Sequence, residues 1–249
     1  MAFTASSLAP KMTVPVSEKY VVIDSEKLVN NLQARGFILR EILRSKSGRN
    51  GHTIRMRSAD SYLINGETMY PEIVIRNSYD KTMAFTCEIG IFRLVCTNGL
   101  TMLATEYGAG KWKTRHIGDE AKLAEQITNQ FMDNLPAVWQ LQEKLHTTIL
   151  TEAQQLELAM RAAQIRWNKE FTAEQARVLL AAARPEDAGD SAWLVFNRLQ
   201  ESIVRGGVAL EGMKRKPKPV THARNNAQIN ERLFNAVHGM VFAEVASEN

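Results

Sequence analysis

The chain has 249 residues, with 31 Lys and Arg against 27 Asp and Glu, so its formal net charge is only +4. Apolar residues make up 45% of it, which suffices for a substantial core and excludes general disorder. No apolar run approaches the roughly 20 residues that span a bilayer, and the first residues do not resemble a secretory signal. We therefore expect a cytoplasmic protein without membrane contacts. Two cysteines, Cys87 and Cys96, are too few for a disulfide framework and predict reduced, packed thiols.

The first elements in chain order are an extended arm and a short helix. Residues 1–20 contain two prolines and no apolar periodicity, which predicts an arm without a core. The helix is capped by Asp24 or Ser25 and ends near Arg35, before a glycine. Its apolar stripe consists of Leu28, Val29 and Leu32.

From residue 37 the apolar period changes to about two, which predicts strands. Residues 37–44 and 52–57 form a predicted hairpin around the turn-rich loop 46–51. Further strands are predicted at 72–76, 83–96 and 101–107, with a turn at 77–81. Residues 21–117 are thus a β-rich core with an antiparallel sheet of four or more strands.

From residue 118 the spacing is helical almost throughout. Pro136 is expected to interrupt the first long helix or to start the next one, and Gly206 with Gly207 ends a later helix. The predicted N-caps are Thr151, Thr172 and Asp190, with a capping box between Thr172 and Gln175. A basic linker at 208–225 precedes a last helix at 226–249. The fold class is α+β, with a mainly antiparallel sheet in the N-terminal half and a helical region, 118–207, opening the C-terminal half.

The positive charge is concentrated in the sheet half. Residues 1–117 hold 16 Lys and Arg against 10 Asp and Glu, a balance of +6, whereas residues 118–249 hold 15 against 17, a balance of −2. Three clusters stand out, and each combines charge or aromatic character in a way that suits a phosphate backbone. The hairpin contributes Arg40, Arg44, Lys46, Arg49, Arg55 and Arg57; a later segment contributes Lys111, Trp112, Lys113 and Arg115; the linker contributes Lys214, Arg215, Lys216 and Lys218.

Each cluster also has a simpler interpretation. A basic strand face is often only solvated, a charged linker can serve solubility alone, and a single tryptophan such as Trp112 commonly closes a core. The coincidence of three clusters favours nucleic-acid binding, with the linker acting as a mobile clamp.

No catalytic motif, metal site or cofactor site is recognisable, so we do not expect an enzyme. Cys87, Cys96 and His116 lack the paired spacing of zinc ligands. The carboxylates that a metal-dependent nuclease would need are scattered over predicted turns and strands. They are Glu67, Glu72, Asp80 and Glu88.

Taken together, residues 71–80, 90–100 and 193–207, the basic linker and the last helix resemble the phage/plasmid-like domain of unknown function, over about residues 20–245. The resemblance implies an origin in prophages or conjugative plasmids, a cytoplasmic setting and no known catalytic activity. Its matching positions are interpreted as turn and core determinants or, alternatively, as a polar site near Arg93 and His116. They are Asn77, Ser78, Asp80, Arg93, Cys96, Asn98, Gly99 and His116.

The leading hypothesis is a non-enzymatic protein that binds nucleic acid, single-stranded DNA rather than RNA, in replication, recombination or DNA protection. Self-association into a homo-oligomer would multiply weak contacts. The alternative is a protein that binds a bacterial host protein through an apolar patch on residues 151–205, involving Trp167, Phe171 or Trp193. A nuclease with carboxylates converging near His116 is the third hypothesis.

Overall fold

The computed structural model describes residues 8, 20, 22–44, 51–64, 66–93, 111–114, 120–208, 210–213, 215–221 and 223–247. The chain divides into two compact units, Met1–Trp139 and Gln140–Asn249. An antiparallel sheet precedes a helical half, so the predicted α+β class is confirmed. Most of the predicted arm and the predicted strand at 101–107 lie outside the described residues. None of the helices in the described ranges is long and apolar enough to cross a membrane.

The first unit is built on an antiparallel sheet, in which the described residues form six strands. Its order is β1-β2-β4-β5-β6, with β3 paired to β4, so β1 ends the sheet. The predicted hairpin is confirmed as β1 and β2, and β4 is longer than predicted. The strands are β1 (Phe37–Arg44), β2 (Gly51–Ser58), β3 (Tyr62–Ile64), β4 (Glu67–Ser78), β5 (Phe85–Arg93) and β6 (Lys111–Thr114).

One face of this sheet is covered by α1 (Ser25–Gln33), which contacts β1. Of the two predicted candidates, Asp24 caps the helix: its carboxylate accepts hydrogen bonds from the Glu26 and Lys27 amides. The alternation of β2 buries Ile54 and Met56 on this face, because every second side chain of a strand points to the same side. The predicted apolar stripe of α1 is buried as well: Leu28, Val29 and Leu32.

A buried polar cluster joins the start of α1 to the sheet. Asn77 Nδ2 donates to the Ile23 carbonyl (2.7 Å) and to Ser25 Oγ (2.9 Å), and Ser25 Oγ lies 2.8 Å from His52 Nε2. The Tyr79 hydroxyl donates to the carbonyl of Leu8. The turn predicted at 77–81 therefore begins later, because Asn77 stays in β4 and its amide holds α1. The arm, predicted without a core, contributes buried Leu8.

The second unit is helical. It comprises the end of α2 (Glu120–Thr147), then α3 (Glu152–Trp167), α4 (Ala173–Arg177), α5 (Ala192–Gln200) and α6 (Ala223–Ser247). A π-helical turn, Glu201–Arg205, continues α5 and ends at Gly206, which has a φ of 73°. The predicted stop at Gly206 and Gly207 is confirmed.

Helix boundaries in this half follow most of the sequence signals. Two of the three predicted caps, Thr151 and Thr172, are present, and each forms a capping box. Pro136 lies inside α2 and neither interrupts it nor starts a helix. Because Pro136 is exposed, water can satisfy the carbonyl that loses its helical partner. The predicted cap at Asp190 is wrong by one residue: Ser191 caps α5, while the Asp190 carboxylate accepts from Gln155 Nε2 at 2.9 Å.

The second unit has an aromatic core and also buries a cation. Trp193 stacks on Phe196, and Phe196 meets Phe234 edge-on. Arg198 is 6% exposed and donates to the Asp187 carbonyl (3.1 Å) and Gln155 Oε1 (3.0 Å). Burial lowers the pKa of the Arg198 guanidinium.

Candidate nucleic-acid interface

The second face of the sheet carries the arginines of the β1–β2 hairpin, and two of them are ion-paired. Arg55 Nη2 lies 2.6 Å from Glu72 Oε2, and Arg57 Nη2 lies 3.0 Å from Glu72 Oε1. The Glu72 side chain is only 4% exposed, because the two guanidinium groups cover it. Arg57 also lies over the ring of Tyr70, 5.3 Å from its centroid. Phosphate contacts by Arg55 and Arg57 stay a prediction, and such contacts would compete with Glu72.

The same face holds a second ion pair, between Arg76 and Glu88, with 2.6 Å between Nη1 and Oε2. Glu41 adds a third carboxylate, 3.6 Å from Arg55. Three glutamates thus face three arginines, and this part of the sheet has no net charge. Counting charges along the hairpin missed this, because Glu72 and Glu88 lie on β4 and β5. The signal was the alternation of those strands, which puts both glutamates on the face of the arginines.

The remaining hairpin cations differ in position. Arg40 is exposed at a β-bulge, where β1 has one residue more than β2. Arg44 is exposed at the end of β1 and is in register with His52. Lys46 and Arg49 lie outside the described residues. Within the described part of the hairpin, Arg40 and Arg44 are therefore the arginines that the structure leaves at the surface.

The third predicted cluster coincides with β6. Its backbone pairs with β5, so that Lys111 is in register with Glu88, Trp112 with Cys87 and Lys113 with Thr86. Arg115 and His116 lie outside the described residues. Lys111 is thus placed beside a strand position that already holds an acidic residue, as in the hairpin.

The basic linker is attached to the second unit by its backbone. The Pro217 carbonyl accepts from the Gly207 amide (3.0 Å), and the Val220 amide donates to the Val204 carbonyl (2.8 Å). Arg166 Nη2 donates to the Lys218 carbonyl at 3.0 Å. The expectation of a mobile clamp is therefore corrected: residues 217–220 are held by main-chain hydrogen bonds that composition cannot reveal.

The cations of this linker have a different environment from those of the hairpin. Arg215, Lys216 and Lys218 are exposed and form no ion pair with any described residue. Lys214 lies outside the described residues. An anchored backbone with exposed, uncompensated cations is suited to contacting phosphates, because little order must be gained on binding.

Several groups that could take part in catalysis are buried in the described part of the chain. Burial raises the pKa of the Cys87 thiol to about 12, so Cys87 is not an activated nucleophile. Ser25 and His52 are hydrogen-bonded but only 0% and 6% exposed, which indicates a structural role. Among the residues described, no three His, Cys, Asp or Glu side chains group as metal ligands. Cys96 and His116, the second residue of the proposed polar site, lie outside the described ranges.

Of the three aromatic residues in the apolar patch of the host-protein hypothesis, one is buried and two are partly exposed. Trp193 is 1% exposed, because it packs in the aromatic core, so its assignment to a docking surface is wrong. Trp167 and Phe171 are partly exposed and contact each other edge-on, with 5.9 Å between ring centroids.

Comparisons with known proteins extend over nearly the whole fold. The family described as "Domain of unknown function (DUF932)" matches residues 14–236. The UPF0380 protein YafZ of Escherichia coli K12 is 25% identical over 225 residues, which cover 88% of this chain and 81% of YafZ. The UPF0380 protein YfjQ of the same strain is 24% identical over 229 residues, with the same coverage. No solved structure matches.

Proposed function

From the premise that the chain belongs to the DUF932 family, we propose that it is a non-enzymatic nucleic-acid-binding protein. Single-stranded DNA is the proposed ligand, in replication, recombination or DNA protection. The proposal includes an origin on a phage or plasmid and a setting in the bacterial cytoplasm. The observation that carries it is the anchored linker, whose cations Arg215, Lys216 and Lys218 are exposed without ion pairs in the described structure.

The geometry of the linker supports a role in holding a phosphate backbone. Pro217 and Pro219 favour an extended conformation, in which residues two apart are separated by roughly 6 Å. Lys216 and Lys218 are such a pair, with Pro217 between them tied to Gly207. An extended row of cations can contact successive phosphates and requires no particular base sequence.

The direct test replaces Arg215, Lys216 and Lys218 with glutamine and measures binding of a labelled single-stranded oligonucleotide by fluorescence anisotropy. Three lost phosphate contacts should lower the slope of log K against log salt by about 2 and weaken binding roughly tenfold or more at low salt. The wild-type protein must first bind the oligonucleotide at low salt.

The matched control replaces three exposed arginines of the same unit that are ion-paired. Arg161, Arg177 and Arg205 pair with Glu157, Glu152 and Glu201, and replacing them with glutamine changes the net charge equally. If both triple variants lose the same affinity, the linker is not a specific contact and the proposal fails. A stoichiometric bacterial protein that stays bound after nuclease treatment, without oligonucleotide binding, would favour the host-protein alternative.

A further inference from the structure

The outer edge of β1 presents an apolar surface. β1 ends the sheet, and no described strand pairs with its outer side. Ile38 and Leu43 on this strand are 49% and 52% exposed, although both are large aliphatic residues. Unpaired backbone groups together with exposed aliphatic side chains are what a strand of another chain needs for pairing.

A bulge places these two residues on the same face. Ile38 is in register with Arg57 and Leu43 with Thr53, and residues four apart on β2 point to the same side. Ile38 and Leu43 are five residues apart, so in a regular strand they would point to opposite sides. The extra residue, Arg40, has no register partner on β2. It therefore shifts the alternation by one residue and brings Leu43 to the same face as Ile38.

The order of residues along β1 is self-complementary. From Ile38 to Leu43 it runs aliphatic, aliphatic, cation, anion, aliphatic, aliphatic. In an antiparallel pairing with an identical strand, centred between Arg40 and Glu41, every aliphatic residue meets an aliphatic one. Each charge in turn meets its opposite.

We propose that the β1 edge is a symmetric interface that binds a second copy of this chain, with Ile38 opposite Leu43, Leu39 opposite Ile42 and Arg40 opposite Glu41. A twofold axis perpendicular to the sheet returns each face to itself, so opposed residues must share a face. Ile38 and Leu43 lie on the second face, which carries Arg55 and Arg57. Leu39 is in register with Met56 and Ile42 with Ile54, so these two lie on the face that α1 covers. Because of the bulge, the aliphatic residues that oppose each other in this pairing lie on the same face of the sheet.

A second copy fits this edge better than an unrelated strand does. Bulges and charges normally protect an edge from foreign strands, because they break the ladder and leave charges unmatched. In this strand the charges pair with opposite charges when the partner strand is identical, and the bulge lies opposite the bulge of that partner. The interface is isologous, since Arg40 of each copy meets Glu41 of the other. It assigns Arg40 to dimerisation instead of to phosphate binding, and it does not depend on the proposed function.

The test uses charge variants of the full chain, after nuclease treatment and without added nucleic acid, with mass measured by sedimentation equilibrium. In R40E and E41R each homodimer contains two like-charge central pairs, so we expect the dimer Kd to rise roughly tenfold or more. An equimolar mixture of R40E and E41R restores both attractive pairs and should dimerise like the wild type.

A second pair of variants avoids the contact between Glu41 and Arg55. I38D and L43K change exposed positions, and each should weaken the homodimer. Their mixture should recover, because the carboxylate introduced in one copy then lies opposite the ammonium group introduced in the other. Thermal melts verify that each variant is folded.

Three results overturn the proposal. The first is a wild-type protein that is monomeric at roughly 100 μM. The second is a set of single variants that dimerise normally. The third is a set of mixtures that stay monomeric while their components are folded.

Discussion

The β1–β2 hairpin and the basic linker have similar compositions but opposite electrostatic environments. In the hairpin, Arg55 and Arg57 lie against the buried carboxylate of Glu72 and are themselves largely covered. In the linker, Arg215, Lys216 and Lys218 extend from a hydrogen-bonded backbone into solvent. A run of basic residues thus indicates a positive surface only where the fold brings no acidic partner to it.

The two segments differ because of how their backbones are satisfied. A strand gains its hydrogen bonds from neighbouring strands, and those neighbours also bring their side chains. The linker is held mainly by single main-chain bonds to Gly207 and Val204, which bring no carboxylate. Predictions that separate the two segments therefore have to disturb the ion pairs in one and the anchoring in the other.

The largest effect is expected for Glu72→Gln, which removes the charge that two partly buried arginines share. Breaking a buried ion pair by removing one partner leaves uncompensated charge, so we expect the free energy of unfolding to fall by about 3 kcal/mol. Urea denaturation measures this. The control, Glu157→Gln, breaks an exposed pair with Arg161 and should cost at most about 0.5 kcal/mol.

Oligonucleotide binding by Glu72→Gln tests whether the hairpin, once its arginines are released, binds nucleic acid instead of the linker. The substitution raises the charge of the hairpin face by one and releases Arg55 and Arg57. If affinity increases severalfold while the linker variants are unaffected, the hairpin and not the linker is the binding surface. Equal stability of Glu72→Gln and Glu157→Gln would show that the Glu72 pairs contribute no more than surface ones.

Local patterns in the sequence were sufficient for most of the fold. The cap at Asp24, the caps at Thr151 and Thr172 and the alternation in β2 depend on residues close in sequence, and all were predicted. The role of Asn77 was not, because a residue that favours turns can also hold a helix across the sheet. Nor was the pairing of Arg57 with Glu72, which needs the register of β2 with β4.

A smaller effect is expected when the linker anchor is disturbed by Gly206→Ala. Gly206 has a φ of 73°, and a Cβ there would overlap the Pro217 carbonyl oxygen. Gly207→Ala is the matched control, because Gly207 has a φ of 85° but nothing within 4 Å of the added carbon. Alanine disfavours a positive φ at either position, by roughly 1 kcal/mol, and Gly206 combines its φ with a ψ of −154°, in a backbone region that essentially only glycine adopts.

The difference between these two variants reports the close approach of the linker together with the glycine-only backbone of Gly206. We expect Gly206→Ala to lose roughly 1–2 kcal/mol more than Gly207→Ala, in thermal or urea unfolding, because the linker must move away and alanine does not readily adopt the backbone of Gly206. It should also weaken oligonucleotide binding severalfold without changing any charge. If the two variants bind equally well, anchoring of the linker is not needed for its proposed contact.

The smallest effect is expected for Arg44→Gln, at the exposed end of β1. A single peripheral phosphate contact should lower the salt slope for single-stranded DNA by about 0.7 and weaken binding roughly two- to threefold at low salt. Arg35→Gln is the control, since it removes the same charge from an exposed arginine that is nearby in sequence but lies outside the hairpin. An Arg44→Gln loss as large as that of the linker triple variant would place the main contact at the hairpin end. In that case Arg44, and not the covered pair Arg55 and Arg57, would be the hairpin residue that binds, because the ion pairs with Glu72 would still hold those two arginines on the sheet.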